Sequence, residues 1–259
     1  MKKVYLSQEN IYGGNLILVN GEHKVCGPGE EKLISVGKTG VLLKRQAGLL
    51  LWELLKKIGA AEQIVLVSGW RSHKEQQKIW DDSIAENGLE FTKKFVAVPG
   101  HSEHETGLAI DLGLKKEEID FICPEFPYEG ICDKFRTYAA DYGFIERYPA
   151  GKEMITGIGH EPWHFRYVGV PHAMILKEEG LTLEEYVDFL QAYSYEKPYR
   201  YEENGLEAVV FWQEARKGKE TLVSLPEEFP CWISGDNVEG FIITEWRGVH
   251  GSKKELRRA

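Results

Sequence analysis

Long apolar runs are missing from this 259-residue sequence. The most hydrophobic window, Ala47–Leu55, is broken by Glu53 and followed by Lys56 and Lys57, well short of the roughly 18 uninterrupted apolar residues of a membrane span. Residues Met1–Asn10 turn polar and acidic before an apolar stretch of signal-peptide length can build, so neither a signal peptide nor a membrane anchor is expected. Cysteine is scarce: Cys26, Cys123, Cys132 and Cys231 form no CxxC pair, which argues against a zinc knuckle or redox motif and for reduced, partly buried thiols. Positive charge is also short, with 32 Lys and Arg against 41 Asp and Glu and a formal net charge of -9. Such a chain has little general attraction for phosphate backbones or anionic lipid. No internal repeat of fixed period is visible. The expectation is a cytoplasmic protein whose partner is a small molecule, with no nucleic acid and no membrane involved.

What is present is globular: 42% hydrophobic residues, 28% charged and seven Trp can build a substantial core. The length suits one large domain, or one with a small appendage. From Val41 to Lys57 the chain carries strong helix formers and closes on Lys56, Lys57 and Gly59. Gln63–Ser68 reads as a short β-branched strand, after which Ser72 and Glu75 make a capping-box signature for a helix from His73 to about Glu86. Arg71 falls on the turn between them. Leu108–Leu112 and His164–Val168 read as strands, Cys132–Tyr142 as a helix, and Thr182 with Glu185 opens a further helix. After Glu207 come short strand-like runs, Ala208–Trp212, Thr221–Leu225, Cys231–Ser234 and Phe241–Trp246. Their aromatic residues suit either a small core or one wall of a cleft. Helices and strands mix without βαβ regularity, which predicts an α+β fold.

Five of the eight histidines lie between positions 101 and 172, and two blocks among them carry chemistry. In the first, His104 and Asp111 are separated by Gly107, which lets the chain turn closely between two ligands. In the second, His160-Glu161-Pro162-Trp163-His164, an acid stands three residues before a histidine. A catalytic zinc commonly takes three protein ligands and keeps a fourth position open, so His104, Asp111 and His164 suffice. Glu161 is then free to act as general base, and Arg71 can stabilise a developing oxyanion. An isolated His104–Asp111 pair would read as a buried histidine satisfied by a carboxylate, and the second block shifts that reading towards a metal. His101, His160 and His172 read as structural or exposed. The acid pairs Asp81–Asp82 and Glu117–Glu118 read as solvated charge, because neighbours on a helix point apart.

These blocks resemble a known family. Ser102, His104, Gly107, Ala109 and Asp111 match SxHxxGxAxD, Glu161, Trp163 and His164 match ExWH, and Ser68-Gly69-Trp70-Arg71-Ser72 is similar to SG(Y/F)RS. All three mark the zinc D,D-peptidases of the VanX, VanY and VanXY group. The resemblance implies one Zn2+ per chain held by His104, Asp111 and His164, with Glu161 as base and Arg71 as carbonyl and oxyanion stabiliser. Ser102 and Gln76 would help hold the terminal carboxylate of a peptide ending in D-Ala-D-Ala. The implied fold is a central antiparallel sheet with flanking helices. We expect a catalytic domain over 1–198 and a β-rich extension over 199–259 packed on it. The implied activity is D,D-dipeptidase and D,D-carboxypeptidase hydrolysis conferring glycopeptide resistance. A peptidase restricted to one substrate, and a zinc-dependent binding module without turnover, stand as alternatives, and the oligomeric state stays open.

Overall fold

The computed structural model describes residues 1–27, 32–203 and 205–249. The chain begins with β1 (Lys2–Leu6), and then builds β2 (Leu33–Ser35), β3 (Leu42–Lys44), α1 (Arg45–Ile58), β4 (Ile64–Ser68), α2 (His73–Asn87) and α3 (Leu89–Phe95). Next come β5 (Ala109–Leu114), α4 (Gly130–Ala139), β6 (Phe144–Tyr148), α5 (Glu153–Thr156), β7 (Glu161–Tyr167) and α6 (His172–Glu179). Helix α7 (Leu183–Leu190) leads to β8 (Tyr199–Glu203), β9 (Leu206–Glu214), β10 (Thr221–Leu225), β11 (Cys231–Gly235) and β12 (Gly240–Val249). No helix among the described residues is long and apolar enough to cross a membrane.

Two compact units result, one of residues 18–184 and one of residues 1–17 with 185–259. The division differs from the expected one at 198/199 for a physical reason. Strand β1 pairs along its whole length with β10, Lys2 opposite Leu225 and Leu6 opposite Thr221, which ties the start of the chain to its β-rich end. Val4, Leu6 and Tyr12 pack against a core of Phe211, Val223, Phe241 and Ile243 in that unit. Its other sheet runs β11-β12-β9-β8.

The unit 18–184 is built on an antiparallel sheet in the order β4-β5-β7-β6. Central strand β5 is buried along all but its last residue, as a strand covered on both faces must be. Helix α1 buries Ala47, Gly48, Leu51, Leu54, Leu55 and Ile58, one stripe at helical spacing. It ends at Gly59 in the left-handed conformation, with Lys56 and Lys57 in the last turn against the helix dipole. Contrary to the expected start at Val41, α1 begins at Arg45, because Leu42–Lys44 pairs with Leu33–Ser35 instead. Helix α4 is anchored through Phe135, whose ring meets Phe165 of β7 at 4.9 Å and Phe126 at 5.9 Å, both edge-on.

Candidate active site

The side chains of the expected site come from paired strands and from the turns beside them. Ser68, Asp111 and His164 are partners in one row across β4, β5 and β7, which sets Asp111 beside His164. His104 arrives from a 3-10 turn over Glu103–Thr106 that ends at Gly107 with φ 71°, a conformation that favours glycine. Arg71 lies between β4 and the first turn of α2, where the Ser72–Glu75 capping box forms as expected.

Strand β7 departs most from regularity. Glu146 pairs with Phe165 and Tyr148 with Glu161, so the chain advances two residues on β6 while β7 advances four. In a regular strand, residues three apart point to opposite faces. The break lets Glu161 and His164 enter the same cavity, with Glu161 Oε2 3.8 Å from His164 Nδ1. Arg71, Gln76, Ser102, His104, Asp111, Glu161 and His164 all line that cavity. Phe95, Ile158 and Trp163 add apolar wall.

His104, Asp111 and His164 are buried and could hold a metal ion, each offering a ligand atom within 4.8 Å of the others. The donor chemistry fits. His104 Nδ1–H donates to the Gly69 carbonyl at 2.7 Å, which leaves Nε2 with its lone pair facing the cluster, 3.0 Å from Asp111 Oδ2. His164 Nδ1 lies 2.8 Å from Asp111 Oδ1, and its Nε2 lies 3.5 Å from Glu103 Oε2. One ring nitrogen of each imidazole is thus held by the protein and the other faces the cluster, the arrangement typical of ligating histidines.

Charge is tightly organised around this set. Despite burial, His104 and His164 hold the Asp111 carboxyl well below the usual carboxylate range. Burial, with Arg71 beside it, lowers His104 to about 4, whereas hydrogen bonding and charge from Asp111 raise His164 in spite of its burial. Burial pushes Glu161 up to about 8, into the range of a working general base or acid. Arg71 Nε donates to Ser68 Oγ at 2.8 Å, Nη1 to Gln76 Oε1 at 3.1 Å and Nη2 to Asp111 Oδ2 at 2.9 Å. Gln76 Nε2 in turn donates to the Ala97 carbonyl at 2.8 Å, so the Gln76 amide is engaged at both ends and aims Arg71. Ser102 is buried at the start of the 3-10 turn, and its hydroxyl takes no part in capping that turn.

Five residues not singled out from sequence, Glu103, Arg147, Arg166, Glu184 and Tyr148, surround the site. Glu103 Oε1 accepts from Arg147 Nε at 2.8 Å and Arg166 Nη1 at 2.7 Å, all fully buried. Arg147 also forks onto Glu184 at 2.8 and 2.6 Å. The Tyr148 ring lies 4.9 Å from that of His164 and forms part of the cavity wall. The four cysteines are free: Cys26 is exposed, Cys132 is buried, and Cys123 and Cys231 are between.

A buried His/Asp/His set beside a free carboxylate and a guanidinium is what a hydrolytic metal centre requires. Comparison with known proteins agrees. Residues 42–170 match the family described as VanY: D-alanyl-D-alanine carboxypeptidase. The chain is 53% identical over 141 residues, 54% of its own length and 74% of the other's, to the bifunctional D-Ala-D-Ala dipeptidase and D-Ala-D-Ala carboxypeptidase VanXYC of Enterococcus gallinarum. Its structure is similar to that of the vancomycin resistance D,D-dipeptidase VanXYg in complex with a D-Ala-D-Ala phosphinate analog. That likeness has a TM-score of 0.93 and 48% identity over 95% of this chain and 99% of the other. It is also similar, with a TM-score of 0.55 and 30% identity over 67% and 98% of the two chains, to a point mutant of the D,D-pentapeptidase VanY from a VanB-type resistance cassette, in complex with Zn(II). The chain belongs to the VanY family of D-alanyl-D-alanine carboxypeptidases.

Proposed function

We propose that this protein is a peptidase that hydrolyses D-Ala-D-Ala, both as the free dipeptide and at the end of peptidoglycan precursor peptides, and so confers glycopeptide resistance. One observation carries the chemistry: the Glu161 carboxylate stands 3.8 Å from His164 Nδ1, beside a ligand set of which it is not a member. The likeness to VanXYC and VanXYg supports the pair of substrates. One Zn2+ held by His104, Asp111 and His164 would supply a Lewis acid that polarises the scissile carbonyl and acidifies a water. Glu161 takes the proton from the attacking water and passes it to the departing amine of the terminal D-Ala. Arg71, aimed by Ser68 and Gln76, donates to the oxygen on which negative charge develops. Ser102 offers its hydroxyl to the terminal carboxylate, while Phe95, Ile158 and Trp163 keep bulk water from the reacting bond. Residues 18–184 carry this chemistry, and the free cysteines suit the reducing cytoplasm, where the precursors are assembled.

The test is D-Ala release from D-Ala-D-Ala and, in parallel, from a pentapeptide ending in it, with and without a chelator. Both substrates are expected to be turned over, and both activities to vanish on chelation and return with zinc. Glu161→Ala is expected to lower kcat by about 10^2–10^4-fold with zinc content unchanged. Turnover of one substrate alone would select a specialised peptidase, and zinc binding without turnover a binding module.

A further inference from the structure

The Glu161 carboxylate makes no hydrogen bond among the described residues, so its position is set by the backbone that carries it. That backbone lies where β7 leaves the regular ladder, and a single cluster holds the residue on each side of it. On one side, the Tyr128 hydroxyl donates to Glu146 Oε1 and lies 2.7 Å from Nε2 of His160, the residue before Glu161. The Tyr128 and His160 rings are stacked at 17°. On the other side, Arg136 Nη2 donates to the carbonyl of Pro162, the residue after Glu161, at 2.7 Å.

The same guanidinium donates to the Phe126 and Pro127 carbonyls, each at 2.7 Å, and through Nε to Glu146 Oε2 at 2.8 Å. It lies over the Tyr128 ring at 3.9 Å and the Phe126 ring at 4.8 Å. Pro162 has no N–H to give a ladder, and Arg136 meets its carbonyl where the register shifts. The planar fork of arginine reaches three backbone carbonyls and a carboxylate at once, which the single ammonium of lysine cannot do.

We infer that Arg136 and Tyr128, joined through Glu146, form a clamp that positions Glu161 for proton transfer. Neither belongs to the ligand set or the cavity lining, and they act through the His160 side chain and the Pro162 carbonyl, on the two sides of Glu161. The inference rests on the reading of Glu161 as the base. A base displaced by about 1 Å loses on the order of 10^2 in rate while substrate binding persists. Arg136→Lys in the zinc-loaded enzyme is therefore expected to lower kcat on D-Ala-D-Ala about tenfold or more, with KM within about twofold and zinc content unchanged. Tyr128→Phe keeps the ring on Arg136 but loses the bridge to His160, and is expected to give a smaller fall of the same kind. It also serves as the second variant should Arg136→Lys fold poorly.

In a Glu161→Ala background, with residual activity followed over long incubation, Arg136→Lys is expected to add no further loss, since the group it positions is gone. A further tenfold loss in that background, or a rise in KM at unchanged kcat, would overturn the inference. Wild-type activity in Glu161→Ala would overturn the base reading and this inference with it. Loss of activity there, together with wild-type kcat in both clamp variants, would overturn the inference alone.

Discussion

At the scale of single residues, Glu103 decides how His164 presents itself. Its carboxylate is fully buried, and Arg166 and Arg147 hold it ionised well below the usual range despite that burial. One oxygen is spent on the two guanidiniums, and the other faces His164 Nε2. Glu103→Gln keeps the shape but removes the charge that orients this imidazole. Metal affinity is expected to fall about 10–100-fold, read by competition with a chromogenic chelator, with circular dichroism unchanged. Glu103 was not legible in the sequence, because an acid between Ser102 and His104 reads as one more polar residue of the block. Its role appears only when folding brings up Arg147 and Arg166, 44 and 63 positions further on. His104, Asp111, Glu161 and His164 stood out in the sequence by residue type and by spacing within each block, and folding brings all four to one cavity. Gln76 stood out only through family resemblance, and its amide faces Arg71 rather than open space.

At the scale of elements, turns do as much as strands. Gly107 closes the 3-10 turn that carries His104, at φ 71°, and a Cβ there would stand 2.8 Å from Leu33 Cδ2 and 3.4 Å from the Lys44 nitrogen. Gly107→Ala is therefore expected to cost about 1 kcal/mol or more in urea denaturation and to weaken metal binding with it, since the turn and His104 move together. The capping box at Ser72, the helix end at Gly59 and the strand Ile64–Ser68 could be read locally, because each is decided by neighbours in sequence. Tyr199–Glu203 could not, with only Tyr201 buried and no apolar alternation to mark it. The shift of register in β7 was marked only by Pro162, which cannot donate to a ladder, and its extent shows only once β6 and β7 are joined.

At the scale of the whole molecule, acid sensitivity is built in. His172, at the start of α6, is buried, and that burial lowers it to about 3 from 6.5. The folded pKa lies below the unfolded one, so the unfolded chain takes up the proton first. The contribution of His172 to stability is complete above about pH 6.5 and is lost towards pH 3, by roughly 1.4 kcal/mol per pH unit once below 6.5. His104, lowered by burial to about 4, acts in the same direction. Urea midpoints at pH 7 and pH 5 are expected to lie closer together in His172→Gln than in the parent chain.

The pairing of β1 with β10 also orders events in time. Residues 2–6 leave the ribosome well before their partners at 221–225, which emerge some two hundred residues later, roughly 10–40 s at 5–20 residues per second. Every residue of the site lies within 18–184, one of the two compact units. The residues of the site are thus all made before the strand that pairs with residues 2–6.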